Sequence, residues 1–507
     1  MAGQTISSTG AAGVHSDPGS ARGLATGLLR QVPAWAVSML VHVIILLAMA
    51  LIVSEAPKAD LRPKMIVSNA PESAEDIGDL ADEMPDQLPM EEVTDPVVVP
   101  DAAVENVQVV ADAEDLSAPA VAVELSDFGS EMVQPSDLLA GVGGIAGQAG
   151  GLGGRTDPKM RQQLVLAGGG NAQTEAAVEA ALKWFISHQM PDGGWSFDLA
   201  ACPSCQGQCS HSGKSRAKDR CGATALALLP FLGRGYTHRE GPYKKQLDAG
   251  IAFLAGMSLK GEGKCYGEDG TLYSQGLAGI VLSESYAMSK DPRLQLPAQL
   301  ALNFIMTAQD PVGGGWRYSP KQPGDTSAVG WQLMALKSGD MANLRVNPLT
   351  VKKAVAFLDS VQSDDGAAYG YTDKSTPGAA RNAVGLLCRM YLGWKKNNPA
   401  LQRGVANLAK AGPSKDLYHN YYATQVLHHL EGDAWTAWNT RMRDLLLNTQ
   451  AKRGHEAGSW YDGVDSGHGA DAAGRLYCTA LSAMILEVYY RHLPIYGQQS
   501  VEEDFRE

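Results

Sequence analysis

A phrase that recurs four times in the last two-thirds of the chain constrains the fold more than any other feature. Each copy is the end of an amphipathic helix followed by Gln, a short polar turn, Gly and an aromatic residue. The copies run from Ala181 to Trp195, Ala301 to Trp316, Ala354 to Tyr369 and, more loosely, Arg443 to Trp460. A phrase repeated at intervals of tens of residues predicts a repeat architecture, in which one supersecondary unit stacks on the next.

Helical periodicity in the same region predicts about twelve helices, because apolar residues recur at three- and four-residue spacing between Gly and Pro breaks. One set begins near Gln173, Tyr243, Arg293, Leu349, Pro399 and Ala434. An alternating set, richer in Ala, Gly and Ser, begins near Cys221, Leu272, Asp325, Thr376, Tyr418 and Ala472. Small residues suit helices crowded around an axis, so we expect an all-α (α/α)6 toroid of six helix pairs with the second set inside. The alternative is an open solenoid of helix pairs.

The repeated phrase resembles the QW motif of squalene–hopene and oxidosqualene cyclases and, more broadly, the prenyltransferase and squalene-oxidase repeat family. The residues at the Gln and aromatic positions of the motif are Gln189, Trp195, Gln309, Trp316, Gln362, Tyr369, Gln450 and Trp460. The resemblance covers roughly residues 170–496 and implies a closed α/α toroid, with these residues in structural roles on its outer edge. It does not imply an activity, because function depends on a site rather than on a fold.

Ahead of the toroid the chain changes character twice. Residues 35–53 carry no formal charge apart from His42, and this run is long enough to span a bilayer. Residues 55–140 hold 21 Asp and Glu against 3 Lys and Arg, which predicts an extended, self-repelling tether. The predicted layout is a short tail at 1–32, a transmembrane anchor at 33–54, an acidic then Gly-rich disordered linker at 55–165, the toroid at 166–496 and a tail at 497–507.

The anchor predicts a single-pass membrane protein that contacts lipid through this segment, although a signal peptide cleaved near Ala48 and Ala50 is an alternative. Ser38 and His42 lie four residues apart, on one face of the helix, and resemble the anchor of TonB-type energy transducers. That resemblance implies a membrane partner at Ser38 and His42 and a periplasmic or other extracytoplasmic toroid. The alternative is a histidine near the membrane interface. We expect no nucleic-acid partner.

Four of the seven cysteines lie in or next to one insertion: Cys202, Cys205, Cys209 and Cys221, with His211 among them. Cys and His side chains at such spacings can hold a structural zinc ion in tetrahedral geometry, although the pattern is not that of a zinc finger. The same cysteines can form disulfides in an oxidising compartment, or stay free thiols. The sequence leaves these three states open.

The amino-terminal ends of the inner helices are expected to converge at one end of the barrel. Their free N–H groups and dipoles favour an anionic group such as a diphosphate or a carboxylate. Aromatic residues there suit a carbocation or an apolar chain, and core packing is the alternative role. The candidate ligand-binding residues are Tyr273, Gln275, Thr326, Trp331, Arg381, Asn382, Tyr418, His419, Tyr422, Asp471, Arg475 and Tyr477.

Squalene–hopene cyclases protonate an alkene with an Asp-x-Asp-Asp-Thr-Ala motif, whose central Asp is the acid. In the nearest match here, Asp325 corresponds to the last Asp of the motif and Thr326 to its Thr. Gln322 replaces the first Asp, and Gly324 replaces the central Asp. Asp325 is a candidate catalytic residue and equally a helix N-cap, where its charged form would be favoured. We therefore expect no cyclisation of squalene or oxidosqualene by this chain.

Among other toroid chemistries, the Asp-x-Cys zinc motif of protein prenyltransferases occurs once in the toroid, at Asp219 and Cys221, and the Cys-Gly-Glu-Gln thioester is absent. A carbohydrate-active barrel needs two carboxylates about 6–10 Å apart, for which Asp325 and Asp471 are candidates. Asp462, Asp465, His468 and Asp471 can hold a divalent cation or form a polar turn. Two functions stay open. One is an enzyme that transforms an isoprenoid or other apolar chain in the cavity, and the other is a non-catalytic scaffold that binds a lipid or a peptide.

Overall fold

The computed structural model of the chain describes residues 152–461 and 469–496, which we call the head. The head is mostly helical. Its α-helices are α1 (Gly153–Thr156), α2 (Pro158–Gly168), α3 (Ala172–Ser187), α4 (Arg220–Gly233), α5 (Lys244–Lys260), α6 (Leu272–Ser289), α7 (Pro292–Ala308), α8 (Thr326–Met341), α9 (Pro348–Val361), α10 (Ala379–Tyr391), α11 (Pro399–Ala411), α12 (Leu417–Leu430), α13 (Gly432–Thr449), α14 (Ala470–Leu486) and α15 (Val488–Arg491). The twelve helices α3–α14 begin within three residues of the predicted starts.

The even-numbered helices α4 to α14 form a closed inner ring. Each of them contacts the next one along the chain, and α14 returns to contact α4. The odd-numbered helices α3 to α13 lie outside this ring and pack on their inner neighbours. This arrangement agrees with the predicted all-α toroid, because the first and last helices of an open solenoid do not touch.

The two rings differ in burial, as their sequences predict. In α4 every residue from Cys221 to Gly233 is buried, which is expected for a helix surrounded by others. The outer helix α9 buries only one stripe, which includes Ala354, Phe357 and Leu358. Outer helices α7, α9 and α11 each start with an Asp or Asn N-cap followed by Pro, a combination that satisfies first-turn N–H groups and pre-sets the helical φ.

Three copies of the repeated phrase fold as turns that tie neighbouring helices together. Nε2 of Gln189 donates to the carbonyl oxygen of Gln246 in α5 at 2.8 Å, and Nε1 of Trp195 donates to a carbonyl of α3. The Gln and Trp of the second and fourth copies make the same two types of bond. In the fourth copy, Nε2 of Gln450 bonds to the carbonyl oxygen of Ala177 in α3 at 2.8 Å. The last turn is therefore tied to the first outer helix.

Two repeats depart from this pattern. In the third copy, a short antiparallel pair of strands, β1 (Gln362–Ser363) and β2 (Ala368–Tyr369), forms the turn. Arg389 donates there to Oε1 of Gln362 at 3.0 Å and to the hydroxyl of Tyr369 at 3.1 Å. The turn after α5 lacks the phrase, and Gln275 of α6 replaces the missing Gln. Its Nε2 bonds to the carbonyl oxygen of Ala301 in α7 at 3.1 Å, so Gln275 supports a turn and not the predicted ligand site.

The head starts earlier than the predicted boundary at residue 166. Helices α1 and α2 both pack against α15, and Arg155 is only 2% exposed. The side chain of Asp157 caps α2, and Pro158 occupies its first turn. Residues 152–165 therefore belong to the head and not to the predicted disordered linker. The start of α2 was not predicted, because the segment that precedes it is rich in Gly.

The remaining predictions for the amino-terminal part of the chain fall outside the described residues. These are the tail at 1–32, the anchor at 33–54 with Ser38 and His42, and the linker up to residue 151. The predicted tail at 497–507 also lies outside them. Within the described ranges, no helix combines the length and the apolar character that a membrane span requires.

Candidate functional site

Asp325 lies at the start of α8 and is fully buried. Its Oδ1 accepts a capping hydrogen bond from the backbone N–H of Ala328 at 2.7 Å and a longer one from the hydroxyl of Tyr273 at 3.3 Å. Its Oδ2 accepts from the hydroxyl of Tyr371 at 3.4 Å and lies 3.8 Å from Nε of Arg317. The carboxyl group is therefore a helix N-cap that also contacts side chains from other turns at this end of the ring.

Burial raises the pKa of Asp325 to about 6, although the capping bond and Arg317 act in the opposite direction. The expectation that the N-cap position favours the charged form is wrong for this residue, because the loss of hydration outweighs the cap and the distant ion pair. Burial also raises the pKa of Tyr273 and of Tyr371, so both hydroxyls stay protonated and can donate. Asp325 thus changes charge near neutral pH, which suits a group that takes up or releases a proton.

Aromatic and cationic side chains surround this carboxyl group. The hydroxyl groups of Tyr318 and Tyr371 share a hydrogen bond of 2.8 Å. The guanidinium of Arg317 lies 5.3 and 5.2 Å from the two ring centroids, and that of Arg381 lies 5.9 Å from the ring of Tyr371. Arg381 is 8% exposed, and its Nε has no hydrogen-bond partner among the described residues. We call this group of residues the mouth: Tyr273, Arg317, Tyr318, Asp325, Tyr371 and Arg381.

Aromatic side chains also pack against one another inside the ring. Trp331 stacks on Tyr421 with centroids 5.6 Å apart and meets Tyr422 edge-on at 5.7 Å. Tyr418 lies 4.9 Å from Tyr422, and all four residues are between 0 and 6% exposed. Tyr477 of α14 is also buried, at 8%. The candidate cavity residues Trp331, Tyr418 and Tyr422 therefore contact each other closely, as the core-packing alternative predicts.

Several other candidates support turns or the contact between rings. Oγ1 of Thr326 donates to the carbonyl oxygen of Gly370 at 2.6 Å, and Oδ1 of Asn382 accepts from the backbone N–H of Tyr369 at 2.7 Å. Both residues therefore hold the third turn. His419 faces outward, because its ring lies 5.9 Å from that of Trp438 in the outer helix α13.

The candidates at the start of α14 are directed elsewhere. Nη2 of Arg475 lies 3.0 Å from Oε1 of Glu456, in the turn of the fourth copy, so Arg475 does not join the mouth. Asp471 is exposed, whereas Asp325 is fully buried, so the two carboxylates proposed for a carbohydrate-active site lie in very different surroundings. The predicted cation loop cannot be placed, because residues 462–468 lie outside the described residues.

The cysteine insertion divides into separate environments, and no disulfide joins any of the seven cysteines. The ligand atoms of four side chains lie within 4.8 Å of one another: His188, Cys205, Cys209 and His455. Cys202 lies apart, with Sγ 3.2 Å from Oγ of Ser204, and Sγ of Cys221 lies 3.5 Å from the carbonyl oxygen of Ser274 in α6. The predicted set of four cysteines is therefore not one cluster, because Cys221 belongs to an inner helix.

Backbone packing occupies the position where a cyclase carries its acid. A Cβ atom at Gly324 would lie 2.6 Å from Cα of Gly315 and 2.9 Å from the ring of Phe357, closer than real Cβ contacts come. Gln322 is engaged in its own loop, where Oε1 accepts from the backbone N–H of Ser319 at 3.1 Å. An acidic side chain at position 324 would require this turn to move.

Three residues of the mouth were missed by the sequence reasoning. Arg317 and Tyr318 directly follow Trp316 of the second copy, and Tyr371 lies two residues after Tyr369 of the third copy. Their position in the sequence could have identified them, because the segment after each repeated phrase leads into the amino-terminal end of the next inner helix. Aromatic and basic residues there were candidates for the same site as Asp325.

No protein-family model matches this chain, and no curated protein matches it. Among solved structures, it is similar to the GH76A α-1,6-mannanase of Salegentibacter sp. HEL1_6, with a TM-score of 0.44 and 11% identity over 62% of this chain and 98% of that chain. It is also similar to the type II terpene cyclase MstE from Scytonema, with a TM-score of 0.43 and 14% identity over 64% of this chain and 100% of that one. Likenesses at this level support no inference about activity or substrate.

Proposed function

We propose that the head is a ligand-binding toroid whose site is the mouth, and that its ligand is an apolar chain carrying an anionic group. Arg317 and Arg381 supply positive charge, and the surrounding tyrosine rings supply apolar surface. The observation that carries the proposal is the guanidinium of Arg381, which is 8% exposed and leaves Nε without a partner among the described residues. A buried polar atom without a partner costs free energy, which a ligand oxygen would offset.

The arginines, and not the helix ends, are the main source of attraction for an anion in this proposal. Side chains already accept hydrogen bonds from first-turn N–H groups of four inner helices: Asp219 at α4, Thr271 at α6, Asp325 at α8 and Asp416 at α12. One or two first-turn N–H groups at each of those helices are therefore already bonded, which reduces the number left for an anion. An apolar chain would lie against the tyrosine rings of the mouth, because Trp331 and its neighbours pack closely farther in.

Calorimetric titration of the full-length chain with farnesyl diphosphate, farnesol and inorganic diphosphate tests the proposal. We expect farnesyl diphosphate to bind more tightly than either fragment. We expect Arg381→Gln to weaken its binding at least tenfold, since a hydrogen bond to a charged group contributes about 1.5–3 kcal/mol. Arg345→Gln, at an exposed arginine, is the matched control and should leave binding unchanged. Equal affinity of Arg381→Gln and the wild type, or no binding by the wild type, contradicts the proposal.

Acid–base catalysis at Asp325 is the second candidate function. It is favoured by the pKa of about 6 and by the two tyrosine hydroxyls that contact the carboxyl group. We expect no cyclic product from squalene, because the cyclase acid position is Gly324. Conversion of squalene to a cyclic product by the purified full-length chain, abolished by Asp325→Asn, would overturn this expectation and the purely binding role, and would make Asp325 a catalytic acid.

We further propose that residues 33–54 anchor the head to a membrane and that the head lies outside the cytoplasm. The support is the uncharged run at 35–53 and the acidic segment that follows it. Deletion of residues 1–54 should release the head from the membrane fraction. Sedimentation of the truncated chain with membranes after a salt wash would contradict the anchor.

A further inference from the structure

We propose that His188, Cys205, Cys209 and His455 bind one zinc ion, which cross-links the first repeat of the toroid to the last. This ligand set differs from the four cysteines that the sequence suggested, because two of its members are histidines of the first and fourth repeated phrases. The proposal is independent of the function assigned to the mouth.

The distances between the ligand atoms fit a tetrahedral site. Sγ of Cys209 lies 3.4 Å from Nε2 of His188 and 3.3 Å from Nδ1 of His455, and the ligand atoms of all four residues lie within 4.8 Å of one another. Zinc bonds of about 2.3 Å to sulfur and about 2.0–2.1 Å to nitrogen put S and N about 3.6 Å apart across a tetrahedral angle. Two thiolates and two imidazoles are a set that favours zinc over harder cations.

Surrounding contacts orient the ligands toward one another. Nδ1 of His188 lies 2.6 Å from the carbonyl oxygen of Trp184, which can only accept, so Nδ1 carries the hydrogen and the lone pair of Nε2 faces Cys209. The Trp184 ring packs on the imidazole at 4.1 Å and fixes its plane. The backbone N–H of Cys209 donates to Sγ of Cys205 at 3.5 Å. His188, Cys205 and Cys209 are each at most 3% exposed, so three of the four ligands are shielded from water, and His455 is partly exposed.

The cluster lies where the ends of the toroid meet. His188 follows α3 in the first repeat, whereas His455 lies in the turn of the fourth copy, 246 residues after Cys209. A second contact joins the same two loops, since the backbone N–H and hydroxyl of Ser210 donate to Oε1 of Glu456 at 2.7 and 2.6 Å. The loop that carries Cys209 is therefore already held against the turn that carries His455. A metal bound here would cross-link distant parts of the chain in the folded state only.

Gly474 shows how closely the insertion approaches α14. Its φ of 64° is in the left-handed region, and a Cβ there would lie 2.4 Å from the carbonyl oxygen of His211. Arg475, the next residue, donates its backbone N–H to the same oxygen at 2.8 Å. The last inner helix is thus fixed to the insertion by its backbone, which gives the cluster a rigid support.

Metal analysis of the full-length chain, purified without chelators, tests the proposal. We expect about one zinc ion per chain, as for a closed structural site. Cys205→Ser and His455→Gln should lose it. Cys202→Ser and His211→Gln are matched controls, because both residues lie in the same insertion but outside the cluster, and they should keep the zinc. Loss of zinc in Cys202→Ser equal to that in Cys205→Ser would overturn this ligand assignment.

Two measurements keep the proposal testable if the ligand variants do not fold. After removal of zinc from the wild type, added Co²⁺ should give the visible bands of a tetrahedral site with thiolate ligands. Removal of the metal should also lower the thermal midpoint of the wild type and of Cys202→Ser alike. A wild-type chain that neither contains zinc nor binds Co²⁺, or that carries a disulfide between Cys205 and Cys209, overturns the site.

Discussion

The two ends of the inner ring hold buried charges in different settings. At the carboxyl end, Nη1 of Arg155 donates to Glu284 at 2.7 Å and Nη2 donates to the carbonyl oxygen of Arg491 at 2.8 Å, with all three residues at most 4% exposed. At the amino end, Arg381 leaves Nε without a partner among the described residues, and Arg317 stays 3.8 Å from Asp325. Nε of Arg491 at the carboxyl end is also without a partner among the described residues, so the two ends differ in ion pairing instead. Arg155 and Glu284 form a short ion pair, whereas Arg381 lies beside an aromatic ring and retains capacity to bind an anion.

The carboxyl groups of Glu284 and Asp325, one at each end, titrate differently, although burial also raises the pKa of Glu487 at the carboxyl end. Burial alone would raise the pKa of Glu284, but Arg155 and Arg491 outweigh burial and lower it. At Asp325 burial prevails, and the pKa rises to about 6. Glu284 therefore remains ionised at neutral pH as part of an ion-pair network, while Asp325 changes charge there. Two buried carboxyl groups therefore behave differently, one as a fixed charge and the other as a titrating group.

The largest expected effect comes from breaking the network at the carboxyl end. Arg155→Met keeps much of the apolar stem but leaves Glu284 buried with one guanidinium fewer, which costs about 3–5 kcal/mol of unfolding free energy. Urea denaturation of the full-length chain at pH 7.5 measures this loss. Arg345→Met, at an exposed arginine, should change the free energy by less than about 0.5 kcal/mol. Equal midpoints for Arg155→Met and the wild type would show that α1 is not part of the cooperative unit.

Helix periodicity was sufficient to place the two rings, because each helix carries its own apolar pattern and its own start signals. Asn347 before Pro348 and Asn398 before Pro399 mark their helices without any tertiary information. The same signal, Asp157 before Pro158, was present ahead of α2 and was missed within a Gly-rich context. The closure of the ring was predicted from the number of helix pairs, which is six, and not from the sequence of any single helix.

The sites were harder to predict, because they depend on contacts between distant repeats. His188 and His455 both lie in repeated phrases, but their proximity follows only once the first and last repeats are neighbours. Gln275 was predicted as a ligand-binding residue, but it makes the bond that the Gln of the repeated phrase makes in other turns. The sequence around a single Gln does not indicate that role. The pKa of Asp325 depended on the extent of burial, which an N-cap pattern does not reveal.

The intermediate expected effect comes from removing the titrating group at the amino end. The pKa of Asp325 is about 6 in the folded chain against an ordinary value of 3.8, so between these pH values the folded state holds a proton that the unfolded state has released. The free energy of unfolding therefore falls as the pH rises through this window, by up to about 3 kcal/mol. Asn keeps the N-cap without the charge.

Asp325→Asn should accordingly be more stable than the wild type by about 2–3 kcal/mol at pH 7.5 and nearly equal to it at pH 4. Urea denaturation of both chains across this range measures the difference, in which the contributions of other titrating groups cancel. A difference that stays constant with pH would show that the carboxyl group titrates normally. A variant that is less stable at every pH would show that the hydroxyl contacts of Tyr273 and Tyr371 require the carboxylate.

The smallest expected effect on stability is that of Arg381→Gln at the mouth. Burial lowers the pKa of Arg381, which indicates that its charge is poorly compensated in the folded chain, and Nε makes no hydrogen bond with the described residues. Replacement by Gln removes the charge and keeps part of the stem, so we expect a change of less than about 1 kcal/mol. Farnesyl diphosphate at a hundred times its Kd should then stabilise the wild type by about 2.7 kcal/mol and the variant by clearly less. A loss of stability as large as that of Arg155→Met would make Arg381 a structural group, and the two ends of the ring would no longer differ in kind.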